Sequence, residues 1–135
     1  MPGLVPVAGI SPLAGKLLIK PSMTMRLFDA PAGYQASLAP LPEAASLDTQ
    51  AGAHDFVQLF ALDSAALASK LPEALAALEH GGLFWISFPK SSSNVQTDLS
   101  RDKGWGSLHA LGYRLVSLVS IDETWSAARI RPIKD

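Results

Sequence analysis

The stretch LPEALAALEHGGLFWISFP, Leu71 to Pro89, changes its hydrophobic period half-way along, and that change decides the fold. Leu67, Leu71, Leu75 and Leu78 recur at helical spacing, so they share one face of a helix. Ser64 stands where an N-cap is expected, Gly81 and Gly82 where a left-handed stop is expected, and Pro72 divides the helix or begins its second piece. From Gly82 to Phe88 the chain is apolar almost without a break, the pattern of a strand covered on both faces. HDFVQLFALD, His54 to Asp63, reads the same way upstream. Two buried strands flanking a helix imply a parallel sheet.

Working outward, TMRLFDAP (Thr24 to Pro31) is an earlier strand stopped by its proline, and ASLDT is at best a short, weak one. Short helices are expected over Pro12 to Leu18 and in YQASLAPL. Thr97 to Leu111 is helical by its cap and its closing Gly112, although Gly104 and Gly106 each cost about 1 kcal/mol relative to alanine. Arg114 to Ile121 and Thr124 to Ile130 form two strands joined by a turn at Asp122 and Glu123, short enough for an antiparallel hairpin. The expected architecture is a single α/β domain over residues 1–135: an abbreviated, Rossmann-like open sheet, mainly parallel, with helices on both faces and a C-terminal antiparallel hairpin. Residues 1–20 are expected to form an apolar arm lying on the domain or on a partner subunit.

Composition narrows the function. Eleven basic against twelve acidic residues leave a net charge of −1, so the electrostatic footprint of a nucleic-acid or acidic-membrane binder is absent. The chain has no cysteine, which removes disulfides, thiolate zinc sites and cysteine nucleophiles and agrees with a reducing cytosol. MPGLVPVAGISPLAGK has no basic start and is interrupted by Pro2, Pro6 and Pro12, so it makes a poor signal peptide. No apolar run approaches the roughly 20 residues that span a bilayer. A cytoplasmic protein is expected. His54, His80 and His109 lack the close spacing of a metal motif, and no Gly-x-Ser-x-Gly elbow or P-loop occurs. Neither a metal nor a catalytic residue is expected.

With LPEALAALEHGGLFWISFP, the order of elements from Phe56 to Pro132 resembles the second half of a class I, S-adenosylmethionine-dependent methyltransferase fold. LAGKLLIKPSM, APAGY, FPKSSSNVQTDLSRD and DETWSAARIRP are similar to patterns in a bacterial family of small proteins of unknown function, a resemblance that spans nearly the whole chain. The methyltransferase resemblance implies an adenosyl donor held by a glycine-rich turn after the first strand and by an acidic residue after the second. Here that turn reads LFDAPAGY, with Pro31 and a lone Gly33, and Asp48 is the acidic candidate. Part of the first half of such a sheet is missing. A degenerate donor site, with no cofactor bound, is therefore expected.

Open α/β sheets bind ligands beyond the carboxyl ends of their strands, here Asp29 to Pro31, Leu62 to Ser64, and Phe88 to Ser93. Lys90 brings a positive charge beside the hydroxyls and N–H groups of Ser91, Ser92 and Ser93, an arrangement suited to an anion. Asn94, Thr97 and Asp98 equally suit helix capping, and Arg101 and Asp102 a solvated first turn. Lys90 must reach solvent, pair with Asp29, Asp98 or Asp122, or meet a ligand. Trp125, Arg129 and Arg131 alternate along the last strand, so Trp125 and Arg129 either stack a planar ligand or pack as cation–π neighbours. Trp85 is expected in the core and Trp105 as a helix-to-sheet anchor.

The expected function is a non-catalytic protein-interaction or small-ligand-binding domain on a degenerate methyltransferase-like scaffold, self-associating as a homodimer. The alternative is a nucleotide- or anion-binding enzyme, S-adenosylmethionine-dependent or not, that uses the loop after the Leu83–Phe88 strand.

Overall fold

A strand apolar on both faces needs a layer on each side, and the sheet provides both. The computed structural model describes residues 11–50 and 52–134. Among them β1 (Thr24–Phe28), β2 (Ser46–Leu47), β3 (His54–Phe60), β4 (Leu78–Pro89), β5 (Tyr113–Ser120) and β6 (Trp125–Pro132) form one sheet in the order β2-β1-β3-β4-β6-β5. The pairs β2–β1, β1–β3 and β3–β4 are parallel, and β6 is antiparallel to both β4 and β5. This is the expected abbreviated Rossmann-like sheet with its closing hairpin.

Alternation along β3 builds two cores. Val57 and Leu59 turn to one face, where Phe84, Ile86, Phe88 and Ile130 pack against α3 (Ser64–Ala76) and α4 (Gly106–Ala110). Phe56 and Phe60 turn to the other, where Met25, Trp85 and Ala127 pack against α1 (Pro12–Lys16) and α2 (Tyr34–Leu38). The Trp85 indole N–H donates to Leu17 O at 3.0 Å, fixing the end of α1 to the sheet. Of the expected arm, residues 1–10 lie outside the described residues. The rest folds: Ser11 caps α1, Pro12 opens it, and Ala14 and Leu17 are fully buried.

Several local expectations are corrected. The N-cap of α3 is Asp63, not Ser64: its Oδ1 accepts from Ala66 N at 2.8 Å and Ser64 is already helical. Pro72 does not divide α3, which runs unbroken from Ser64 to Ala76; the carbonyl that a proline there leaves without an N–H partner belongs to Ala68, an exposed residue. Gly81 and Gly82 do not stop the helix. α3 ends at Ala76, the Ala77 carbonyl accepts from His54 N at 2.7 Å, and β4 has already begun at Leu78. The glycines bulge out of β4 instead. Between the pairs His54–Leu78 and Phe56–Leu83 that strand advances five residues while β3 advances two. A Cβ on Gly82 would lie 3.0 Å from both Asp55 O and Glu79 O. A second bulge places one extra residue, Val116, between the pairs Leu115–Ile130 and Ser117–Arg129 of the hairpin.

The largest departure is Thr97 to Leu111, of which only Gly106–Ala110 is helical. Gly104 has φ +94°, and a Cβ there would stand 2.6 Å from Leu99 Cδ2, so the chain doubles back on itself rather than coiling. Trp105 Nε1 closes the loop by donating to Ser100 O at 2.7 Å, while the Trp105 ring meets Phe88 edge-to-face. Trp105 is thus buried as an anchor, and Trp85 as core. Gly104→Ala should lower stability by about 1–3 kcal/mol through its left-handed backbone. Gly106→Ala, with nothing within 4 Å of the added atom, should instead leave stability unchanged or raise it by up to about 1 kcal/mol. Urea denaturation of the two variants measures both.

Candidate functional site

Because β1, β3, β4 and β5 run the same way, their carboxyl ends share one edge of the sheet. The chain leaves β1 for β2 on one side and returns to β3 on the other, so the strand order reverses between β1 and β3. Ligands of open α/β sheets bind in the crevice that such a reversal opens.

Here the chain's own side chains fill the α2 side of that crevice. Gly33, left-handed at φ 85°, turns the chain into α2 so that Tyr34 points at the sheet. The Tyr34 ring is buried and meets Phe60 edge-to-face at 4.7 Å, and Phe60 meets Trp125 in the same way at 5.1 Å. Beneath the rings, Tyr34 Oη donates to Gln58 Oε1 at 2.8 Å and Gln58 Nε2 donates to Ser87 Oγ at 2.8 Å. Gln58 and Ser87 are fully buried. Burial pushes the Tyr34 hydroxyl well above the usual phenol range, so it stays a proton donor.

The residues present do not fit an adenosyl donor. In the turn between β1 and α2, Pro31 has no N–H, and the Tyr34 N–H is taken by Pro31 O at 3.1 Å. A Cβ on Gly33 would meet no other atom of the described residues within 4 Å, so within the chain it is the left-handed φ of 85°, not packing, that calls for glycine. Asp29, at φ 59°, lies 4.0 Å from Lys70 Nζ of α3. Asp48, the acidic residue after β2, accepts from Gln50 N at 2.9 Å and lies 3.1 Å from Nε2 of His54, the first residue of β3. It is therefore bound at the amino end of the sheet, away from the crevice. Those hydrogen bonds, from Gln50 first and then His54, hold its carboxyl below the usual carboxylate range.

The other candidate residues are divided among different partners. Lys90 Nζ donates to Ser120 Oγ at 2.6 Å, and among the described residues it makes none of the ion pairs the sequence suggested. Ser93 folds back on Lys90, its N and Oγ both donating to Lys90 O. Ser91, Ser92 and Arg101 are exposed. Asp98 does cap a helix, but not the one following it in sequence: it accepts from the backbone N and the hydroxyl of Ser64, the first residue of α3. These bonds lower its carboxyl. Asp122 accepts from Thr124 N and Trp125 N, both at 2.8 Å, and shapes the hairpin turn. Among the described residues the cation–π contact is not Trp125 with Arg129: Trp125 meets Phe60 edge-to-face, and the guanidinium of Arg26 lies over Phe28 at 4.7 Å.

An open groove does gather Ser91, Ser93, Asn94 and Asp98, together with Asp63 and Lys103. Tyr34, Gln58, Ser87 and Ser120 were missed from the sequence, yet Gln58 and Ser87 each interrupt an apolar run, the signal of a buried polar group that needs a partner. Among the described residues, no group of three His, Asp or Glu side chains is placed to hold a metal ion, and no helix is long and apolar enough to cross a membrane.

No protein-family model and no curated protein sequence matches the chain, so the motif likeness to a bacterial family has no matching model behind it. Solved structures do match. DhpI in its complex with SAH superposes with a TM-score of 0.60 at 14% identity, covering 99% of this chain and 88% of that one. A SAM dependent methyltransferase from Aquifex aeolicus gives 0.53 at 14% identity, with 96% and 93% covered. Ribosomal protein L11 methylase from Lactobacillus delbrueckii subsp. bulgaricus gives 0.52 at 13% identity, with 96% and 78% covered. The fold is class I methyltransferase-like. At these identities the likeness is one of fold.

Asp98 and Asp48 both have lowered carboxyls, so each stabilises the fold fully above the unfolded carboxylate range near about pH 4 and loses that effect as pH falls through its lower folded value. Asp98→Asn should lower the melting temperature at pH 7 and flatten its decline between about pH 4 and 2. Melting curves of both proteins across that range measure the difference.

Proposed function

We propose that this chain is a non-catalytic domain of the cytoplasm that uses a methyltransferase-like scaffold to bind a protein partner, a second copy of itself first of all, or a small anionic ligand. The motif resemblance to small bacterial proteins belongs to the same reading. One observation carries it: the crevice between β1 and β3 is closed by the Tyr34–Phe60–Trp125 rings over the Tyr34–Gln58–Ser87 hydrogen bonds. A donor molecule entering there would have to displace a buried aromatic side chain and leave Gln58 unsatisfied.

Of the sheet's two edge strands, β5 is the one that favours association. β2 offers only two residues, whereas β5 offers eight. Val116 and Leu118 of β5 are exposed, as are Leu111 before it and Ile133, whose N–H bonds Gly112 O beside Leu111. A long apolar edge strand of this kind invites pairing.

Thermal unfolding with 1 mM S-adenosylhomocysteine, about the level at which a micromolar binder shifts melting by several degrees, should show no shift. A clear rise would defeat the non-catalytic reading. Sedimentation at micromolar concentration should show a dimer that Leu118→Asp converts to monomer; a wild-type protein that stays monomeric removes the association part.

A further inference from the structure

A second feature of the carboxyl edge lies away from the closed crevice, at the ends of β4 and β5. Lys90 directly follows β4, and its backbone is held by Lys90 N donating to Thr124 O at 2.7 Å. Its ammonium donates to Ser120 Oγ at 2.6 Å. Lys16, from the last turn of α1 on the opposite layer, donates its own ammonium to Ser120 O at 3.1 Å. Two cations 74 positions apart in sequence (90 − 16) thus converge on one residue at the end of β5.

The ion pairs among the described residues join His54 to Asp48 and Lys70 to Asp29 and Glu73, and neither Lys16 nor Lys90 enters one. The nearest turn, between β5 and β6, carries Asp122 and Glu123, but Asp122 Oδ1 is directed at the N–H groups of Thr124 and Trp125. A donor count sharpens the point. Among the described residues each ammonium uses one of its three N–H donors, and Ser120 Oγ, accepting from Lys90, keeps its own proton to give. The cluster is rich in donors and poor in acceptors, its members come from three elements, and it stands on the edge at which such sheets bind ligands.

We propose that Lys16, Lys90 and Ser120 form a binding site for a phosphate-type dianion, free or carried as the phosphoryl group of a small molecule. Two ammoniums match a double negative charge, and the serine hydroxyl supplies a third, directional donor to a tetrahedral oxyanion. A single carboxylate offers half that charge. The inference rests on the small-anion arm of the proposed function and names its ligand class and residues.

Isothermal titration calorimetry tests it, with inorganic phosphate and sodium acetate compared at constant ionic strength and pH 8. The expected result is one saturable site for phosphate and none for acetate. The double variant Lys16→Gln, Lys90→Gln should weaken phosphate binding by at least about tenfold, and Ser120→Ala should weaken it less. Lys16→Arg with Lys90→Arg should retain it, which separates loss of charge from loss of fold, with circular dichroism as the check. Phenyl phosphate distinguishes the sources: tighter binding than inorganic phosphate assigns the site to a phosphoryl ester, weaker binding to the free ion. Non-saturable heat, acetate binding as tight as phosphate, or unchanged affinity in the folded double Gln variant overturns the proposal. A response to S-adenosylhomocysteine would count against the non-catalytic reading alone and leaves these outcomes readable.

Discussion

A glutamine in the middle of an otherwise apolar, doubly covered strand must find both a donor and an acceptor, because leaving either amide atom bare inside the protein costs several times what a satisfied hydrogen bond contributes. Gln58 meets that demand with Tyr34 on one side and Ser87 on the other. Much follows from it. Tyr34 can reach Gln58 only if the chain turns sharply after β1, which the left-handed Gly33 allows, and only if α2 lies down on the sheet. The ring brought along by that hydroxyl then lies in the crevice where ligands of open α/β sheets bind. A single polar side chain thereby links the packing of one layer to the closure of the crevice.

The same logic of self-satisfaction extends along the carboxyl edge. A helix N-terminus there is a natural place for an anion, and α3 receives two carboxylates from the chain itself, Asp63 from its own cap and Asp98 from the loop after β4. Asp29 is directed to Lys70 rather than into the crevice. Further along the sheet two lysines, Lys16 and Lys90, donate to Ser120 and enter no ion pair among the described residues. The fold is methyltransferase-like, and along its carboxyl edge much of the polar chemistry is satisfied within the chain.

The elements legible in the sequence were those with a sustained period. Continuous apolarity in β3 and β4, the leucine spacing of α3 and the short turn of the hairpin all report burial directly, and burial is what the sheet imposes. Boundaries were harder, since Gly81 and Gly82 look like a helix stop and serve instead in a bulge. The loop from Ser91 to Trp105 misled for a physical reason. Its capping residues are genuine hydrogen-bond acceptors, but Asp98 serves a helix distant in sequence, and Gly104 makes a fold-back rather than a helical turn. Lys90 was recognisable as a charge needing an explanation, whereas Lys16 and Ser120 were not, because only the fold brings α1 and β5 together.

The extra residue at Val116 carries a consequence for which way side chains point. Strand residues alternate between layers, and an insertion reverses the alternation beyond it, so Leu115 belongs with the α3 layer while Val119 belongs with the α1 layer. Ser120 is downstream of the reversal. Its hydroxyl faces the side from which Lys90 approaches, and its carbonyl is left for Lys16. Excising that one residue would rotate the end of the strand by half a turn and swing the hydroxyl beneath the opposite layer. The geometry of the lysine pair is thus encoded by a frameshift in the pleat as much as by the three residues themselves.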